Sequence, residues 1–291
     1  MTSVHAEKDV AEWRAVADHV QERVETLLID AGLSQQIITY ARGLGGYHRV
    51  PHCCAAWIKD PETRIRVGSN FCIHMIGLKF LDDIIDDDAP VQSRELVFGS
   101  AICDFATQEL LTVSPLSNPL ADFEKQWIPI WKTVLAEPVN PAQNLVEWEQ
   151  LARRKAGNWL SRYTDVTANL LCDAQLKPVL HRIFESFGVI YQISDDLRDF
   201  QAGTDDDANL VVLIDGSAQK AQEALALLED YVATFRLGMK THPPALDFAW
   251  RVERVIETAE EALRGMVDAA THRPTAPAYS ATDLPAAGSG L

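Results

Sequence analysis

Apolar residues in this chain recur at steps of three and four from end to end, while runs that alternate apolar and polar residues between turn signals are nearly absent. That spacing gathers apolar side chains on one face of a 3.6-residue helix but scatters them over both faces of a strand, so the chain buries a continuous surface only as helices. It predicts helices over 10–31, 33–44, 61–85, 94–112, 119–136, 141–172, 177–200, 218–237 and 244–270. Between them GLGGY, DDDAP, VSPLSNP, EPVNP, QAGTDDDAN and THPP supply the Gly, Pro, Asn and Asp that end helices and start turns. Long helices with short connections predict an all-α bundle, a single domain whose apolar faces enclose one central interior. From His272 onward the chain is rich in Pro, Ala, Gly and Ser, with too few apolar anchors to offset the entropy of ordering them. The expected organisation is therefore a domain over 1–271 and a flexible tail over 272–291.

Composition narrows the partners. The 291 residues are 47% hydrophobic and 23% charged, an ordinary globular balance, with a formal net charge of −16. A nucleic acid or an anionic membrane surface attracts Lys and Arg, so neither suits this chain, whereas divalent cations do. Cys53, Cys54, Cys72, Cys103 and Cys172 show no C-x-x-C spacing, and their odd number does not fit a disulfide framework, which points to a reduced, cytoplasmic compartment. The start MTSVHAEKDVAEW has no apolar signal region, and no stretch reaches the roughly 18–20 apolar residues of a membrane span.

Two stretches break the ordinary pattern. LDDIIDDD, residues 81–88, places five carboxylates in eight residues directly after the apolar run MIGLKF, and SDDLRDF follows at 194–200. On the helix expected over 61–85 the inward stripe Phe71, Met75 and Leu78 continues to Asp82 and Asp86. Over 177–200 the same count runs Phe184, Gly188, Tyr191, Asp195 and Asp199, with Gln192 one turn before Asp195 and Asp196. One acidic run at a helix end is ordinarily a solvated face; two copies, each finishing a core stripe, are not. Carboxylates one turn apart repel, and the negative end of the helix dipole adds to the strain. Divalent cations relieve both. A surplus of hard oxygen ligands, Asp82, Asp83 and Asp86 facing Asp195, Asp196 and Asp199 across the mouth of one cavity, selects Mg2+, which typically shares its coordination with substrate phosphates. Asp87, Asp88 and 205–207 fall off the inward count and read as loop solvation. His74, also on the inward side, reads as a satisfied core histidine, and without a Cys or His partner at ligand spacing it makes no zinc site.

A helical bundle with two D-D-x-x-D motifs, the second preceded by a Gln three residues earlier, resembles the class I isoprenoid synthases, the superfamily of trans-prenyltransferases and terpene cyclases. The likeness spans roughly 41–213, and YQISDDLRDF is its most specific part. GLGGYHRVP at 43–51 resembles the N-terminal Gly-Gly-Lys-Arg stretch of the chain-elongating members, and Lys155, forty residues before Asp195, lies near the place of their diphosphate-binding lysine. The resemblance implies an allylic prenyl diphosphate as substrate and Mg2+ as cofactor. It makes Arg49, Lys155, Gln192, Arg162 and Arg198 candidate donors to the diphosphate. It also implies aromatic walls for a carbocation, for which Phe71, Trp159, Phe187 and Tyr191, with Phe80, are placed near the motifs. Gly77 and Leu78 fall where this fold commonly limits chain length, and the small Gly77 leaves room for a C10 or C15 chain. Homodimers are common in the superfamily.

The departures are informative. Tyr47 and His48 stand where elongating enzymes carry Lys-Arg; Arg94 stands alone where they pair arginines; no lysine occurs between Asp199 and Lys220. Each missing charge-assisted contact costs about 1.5–3 kcal/mol, so isopentenyl diphosphate is not the expected co-substrate. YHRVPHCCAAWIKDPETR, LKFLDDIIDDD and SDDLRDFQAGTDDDANL are most similar to the head-to-middle branch of the superfamily, which joins a prenyl unit to an isoprenoid chain on a phosphoglycolipid. The expected activity is Mg2+-dependent prenyl transfer to a non-isopentenyl acceptor of that kind. A class I terpene cyclase is the alternative, although the Asn-Asp-x-x-Ser-x-x-x-Glu motif of many cyclases is absent. A third reading, a non-catalytic partner subunit, gives no physical reason to keep six converging carboxylates.

Overall fold

The computed structural model describes residues 3–85, 91–113, 132, 141–203 and 209–271. Among them the fold is all-helical, with no strand. The helices are α1 (Ser3–Asp30), α2 (Gln35–Gly43), α3 (Pro61–Ile85), α4 (Ser93–Val113), α5 (Leu145–Ala152), α6 (Asn158–Leu170), α7 (Leu176–Ala202), α8 (Leu210–Ile214), α9 (Ala218–Thr241) and α10 (Ala249–Thr271). A 3-10 turn, Val50–Ala55, follows α2, and a π-helical turn, Arg153–Gly157, joins α5 to α6. The helix expected over 119–136, Lys132 excepted, and the tail expected from 272 lie outside the described residues.

Local chemistry accounts for several boundaries. Pro61 opens α3, where a missing N–H costs nothing. Gly203, in the left-handed region at φ 72°, closes α7, and its N–H donates to Phe200 O at 3.2 Å. The helix expected from 244 starts only at Ala249. The N–H groups of Ala245 and Leu246 donate instead to Ala56 O at 2.8 and 3.0 Å, and the Asp247 carboxylate accepts from Ala249 N at 2.9 Å.

α3 is buried on nearly all sides and carries two cores. Cys72, Ile73, Ile76 and Phe80 pack with Val16, Val20, Val24 and Leu28 of α1, with Ile37, Ile38 and Ala41 of α2, and with Leu96 and Cys103 of α4. Phe71, Met75 and Leu78 belong to a second, larger cluster with α6, α7, α9 and α10. Burying a Phe or Leu side chain contributes about 1.5–3 kcal/mol, so a helix apolar all round holds both halves together. Glu12, Arg64 and His52 brace the first half. Arg64 donates to both Glu12 carboxylate oxygens, at 2.7 and 2.6 Å, and His52 Nε2 lies 3.2 Å from the same group.

Candidate functional site

The two acidic stretches occupy the C-terminal parts of α3 and α7, and their members have different surroundings. Asp82 continues the Phe71–Met75–Leu78 face and is 5% exposed. Its Oδ2 accepts from Lys79 Nζ at 3.0 Å, while its Oδ1 is buried and has no hydrogen-bond partner among the described residues. A buried carboxylate oxygen with nothing donating to it is costly. Asp83, one residue on, points toward α2, where the Tyr40 hydroxyl donates to it, and Lys79 Nζ pairs with its Oδ1 at 2.7 Å. Asp86 lies outside the described residues.

On α7, Asp195 is partly exposed and paired with Arg198. Asp196 turns the other way and is 6% exposed. Its Oδ2 accepts from Trp148 Nε1 at 2.8 Å and Leu210 N at 2.7 Å, and its Oδ1 from Gln192 Nε2 at 2.7 Å. Asn209 Nδ2 adds a bond to its backbone carbonyl at 2.8 Å. Asp196 thus ties α5 and α8 to α7, and the expectation that it faces the opposite acid set is corrected: three N–H donors hold it in a structural joint. Gln192, expected to bind a diphosphate, instead orients Asp196.

Tyr47 lies between the two cores. It packs against both cores, and its phenol lies within electrostatic reach of Tyr191, Asp82, Arg198 and Asp199. Burial first, then Tyr191, Asp82 and Asp199, push it well above the ordinary tyrosine range against an opposing pull from Arg198, so it stays protonated. The turn that carries it is closed by Tyr47 N to Leu44 O at 2.9 Å and Val50 N to Gly46 O at 2.9 Å. Gly46 lets that turn approach α7: a Cβ there would stand 3.5 Å from the Tyr191 hydroxyl. One carboxylate from each acid set, Asp82 and Asp199, thus acts electrostatically on the same phenol.

The remaining expected residues divide. Leu78 and Trp159 are buried in the larger core. Lys155 is half-buried within the π-helical turn. That turn is fixed by a glycine crossing, since a Cβ on Gly188 would lie 2.5 Å from Gly157 Cα. Phe71 packs on Tyr163 with ring centroids 4.7 Å apart. Phe187 sits in an aromatic cluster with Phe184, Phe235, Phe248 and Tyr191, at 6.1, 6.2, 6.4 and 6.3 Å. Phe80 belongs to the smaller core, against Tyr40 at 5.8 Å. Gly77 does not open onto the larger core: a Cβ there would come within 2.6 Å of Cys103 Cβ and 3.3 Å of Ser100 O, so it permits the close approach of α4 and leaves no room for a chain. Arg162 lies 3.7 Å from Asp165, a carboxylate that also receives Lys177 at 3.2 Å and His181. His181 is fourteen residues from Asp195, about 21 Å along α7, so the structure does not bring Arg162 to the acid sets. Arg49 is exposed and precedes the 3-10 turn without a side-chain capping bond. Arg198, also exposed, screens Asp195.

His74 is the satisfied core residue the sequence suggests. Its Nδ1 lies 2.7 Å from the Tyr163 hydroxyl, and burial pushes its pKa down to about 4. Lys79, Tyr40, Tyr47 and Trp148 were not among the expected residues. Only Lys79 carried a sequence signal, since it stands three and four residues before Asp82 and Asp83.

The donors available for a cation are carboxylate oxygens, and Asp82 Oδ1 fits a hard divalent ion. Among the described residues no three His, Cys, Asp or Glu side chains form a metal cluster by themselves. Mg2+ needs only one or two carboxylates when phosphate oxygens and water complete its shell. All five cysteines are free, and Cys53, Cys54, Cys72 and Cys103 are buried. No helix among the described residues is long and apolar enough to cross a membrane. The sequence matches no protein-family model and no curated protein.

Proposed function

We propose that this protein is a cytoplasmic, Mg2+-dependent prenyltransferase of the class I isoprenoid synthase kind. In this reading residues 1–271 form one domain around an apolar cavity, alone or as a homodimer, and 272–291 form a tail. The observation that carries the reading is Asp82. A carboxylate that ends a core stripe, buried, with one oxygen that no described residue donates to, is best explained by a ligand that brings positive charge. The likeness of the two motifs and of YHRVPHCCAAWIKDPETR to the head-to-middle prenyltransferase of moenomycin assembly supplies the reaction class.

The substrate is an allylic prenyl diphosphate of C10 or C15, and the acceptor an isoprenoid-bearing molecule such as a prenylated phosphoglycolipid. Mg2+ held by Asp82, Asp195 and Asp199, with Asp86, would neutralise the departing diphosphate. The allylic C–O bond breaks with its electron pair on the diphosphate oxygen. The acceptor alkene then attacks the allylic carbon, and a proton leaves the adjacent carbon to restore an alkene. Asp82 and Asp199 orient the diphosphate end, and Lys155 donates to its oxygens. Leu78, Met75, Phe71 and Trp159 keep water from the cation, which would otherwise be quenched as an alcohol. The lack of Lys-Arg at 47–48 disfavours a second diphosphate.

The test is incubation of purified protein with Mg2+ and geranyl or farnesyl diphosphate, with and without a farnesylated phospholipid acceptor. Diphosphate release that requires the acceptor and falls at least a hundredfold in Asp82→Asn supports the proposal. A cyclic hydrocarbon or alcohol from one substrate alone identifies a cyclase, and turnover unaffected by the substitution removes Asp82 from the chemistry.

A further inference from the structure

Lys79 stands one helical turn before the acids near the end of α3, and its ammonium bridges two of them: Nζ lies 3.0 Å from Asp82 Oδ2 and 2.7 Å from Asp83 Oδ1. We infer that Lys79 is an internal counter-ion of the metal site, holding the Asp82 carboxylate for a divalent cation while opposing one that arrives without diphosphate. The inference rests on the function proposed above and adds to it a positioning residue that ties metal loading to the substrate.

The contacts give the two acids different tasks. Asp83 is engaged at both oxygens, Oδ1 by Lys79 and Oδ2 by the Tyr40 hydroxyl. Tyr40 in turn packs on Phe80 of the smaller core, with ring centroids 5.8 Å apart, so that core anchors Asp83 and, through it, the ammonium. Asp82 is held at Oδ2, and its buried Oδ1 receives no hydrogen bond from any described residue. Lys79 therefore leaves one oxygen of the pair to a metal and keeps Asp83 committed to the fold. The Lys79 side chain is only 22% exposed and both acids are buried, so water screens these charges weakly.

Two carboxylates and one ammonium leave a single net negative charge. A bare divalent ion on Asp82 Oδ1 would be separated from the ammonium by one carboxylate group, and like charges that close in a poorly screened site repel strongly. A cation complexed by diphosphate brings negative charge with it, and its phosphate oxygens can accept from the same ammonium. Lys79 thus favours metal delivered with substrate over metal alone. Removing its charge should move two properties in opposite directions. The metal-free fold loses the cation between two buried acids and becomes less stable. The affinity for bare metal rises, whereas a lysine that served the fold alone would leave it unchanged or lower it.

Calorimetric titration of the full chain with Mn2+, without and with inorganic diphosphate, reads these affinities without turnover. Lys79→Met should bind Mn2+ alone at least about tenfold more tightly than the wild type. Its metal-free unfolding temperature should be lower by about 5 °C. Lys79→Gln, neutral but with a side-chain N–H donor, gives the same affinity reading should the methionine variant not fold. Lys79→Arg, which keeps the charge, should stay within about threefold of the wild type. Affinity for Mn2+ alone that is unchanged or weaker in the neutral variants, while Asp82→Asn binds more weakly than the wild type, overturns the counter-ion and leaves the proposed function standing. Mn2+ binding that is identical in the wild type and Asp82→Asn, with and without diphosphate, overturns the proposed function and the counter-ion together.

Discussion

Asp195 and Asp196 are chemically identical neighbours with opposite tasks. Asp196 accepts hydrogen bonds from Trp148, Leu210 and Gln192, so it holds α5 and α8 onto α7. Asp195 is partly exposed beside Arg198 and is free of such structural duty. Asp196→Asn replaces one acceptor oxygen by a donor and leaves at least one N–H unpaired, which costs about 1–3 kcal/mol. Urea unfolding should show that loss, whereas Asp195→Asn should unfold like the wild type and release diphosphate more slowly. The reverse ranking would return Asp196 to the metal site. Sequence could not separate the two, because D-D reads the same whichever acid faces inward. The deciding groups, Trp148 and the N–H of Leu210, are 48 and 14 residues away. The burial of Asp82 was legible, since Phe71, Met75 and Leu78 point to it by spacing alone.

At the scale of elements, boundaries set by local chemistry were readable and those set by contact were not. Pro61 and the acid-rich end of α3 fix that helix, whose bounds agree with the expected 61–85. The helix expected over 141–172 instead opens into the π-helical turn Arg153–Gly157, because the backbone of α7 at Gly188 presses against Gly157. LVVLI resembles a strand by composition, yet it becomes α8 because Asn209 caps it, its Oδ1 accepting from Val211 N at 2.8 Å, while Asp196 holds Leu210 N. The glycine crossing yields a prediction for this level. Gly188→Ala places a methyl 2.5 Å from the Gly157 backbone, which cannot rotate away, and should destabilise the fold by about 1–3 kcal/mol in chemical unfolding. An unchanged midpoint would show that α6 and α7 do not cross so closely. Activity should fall with it, since Lys155 is carried by the same turn.

Among the described residues two cores share one helix, and the response to acid follows from what those cores enclose. His74 is neutral inside the larger core, pushed by burial to about 4. The unfolded chain takes up that proton below about 6.5 and the folded chain does not, so stability declines as pH falls from 6.5 to 4, by up to about 3 kcal/mol. His52 and His48 are shifted down by burial and act in the same direction. Glu12 is subject first to burial, which raises it, but Arg64 and His52 outweigh that and hold it near about 2, so its contribution is lost only below about 4.5. Urea midpoints measured between pH 7.5 and 4.5 should therefore drop steadily, and less steeply in His74→Gln; a flat profile would contradict the burial of His74. Composition and periodicity made the all-helical class legible at this scale. The division into two cores was hidden, because a helix apolar all round does not announce which neighbours share it.

In the proposed function Asp82 and Asp199 serve one ligand. A crystal grown with Mn2+ and inorganic diphosphate, and measured for anomalous scattering, addresses that directly. Manganese peaks within coordination distance of Asp82 and of Asp195 or Asp199, bridged by diphosphate, are the predicted result. Manganese at one motif alone, or diphosphate bound elsewhere with the Asp82 carboxylate still unligated, would contradict it.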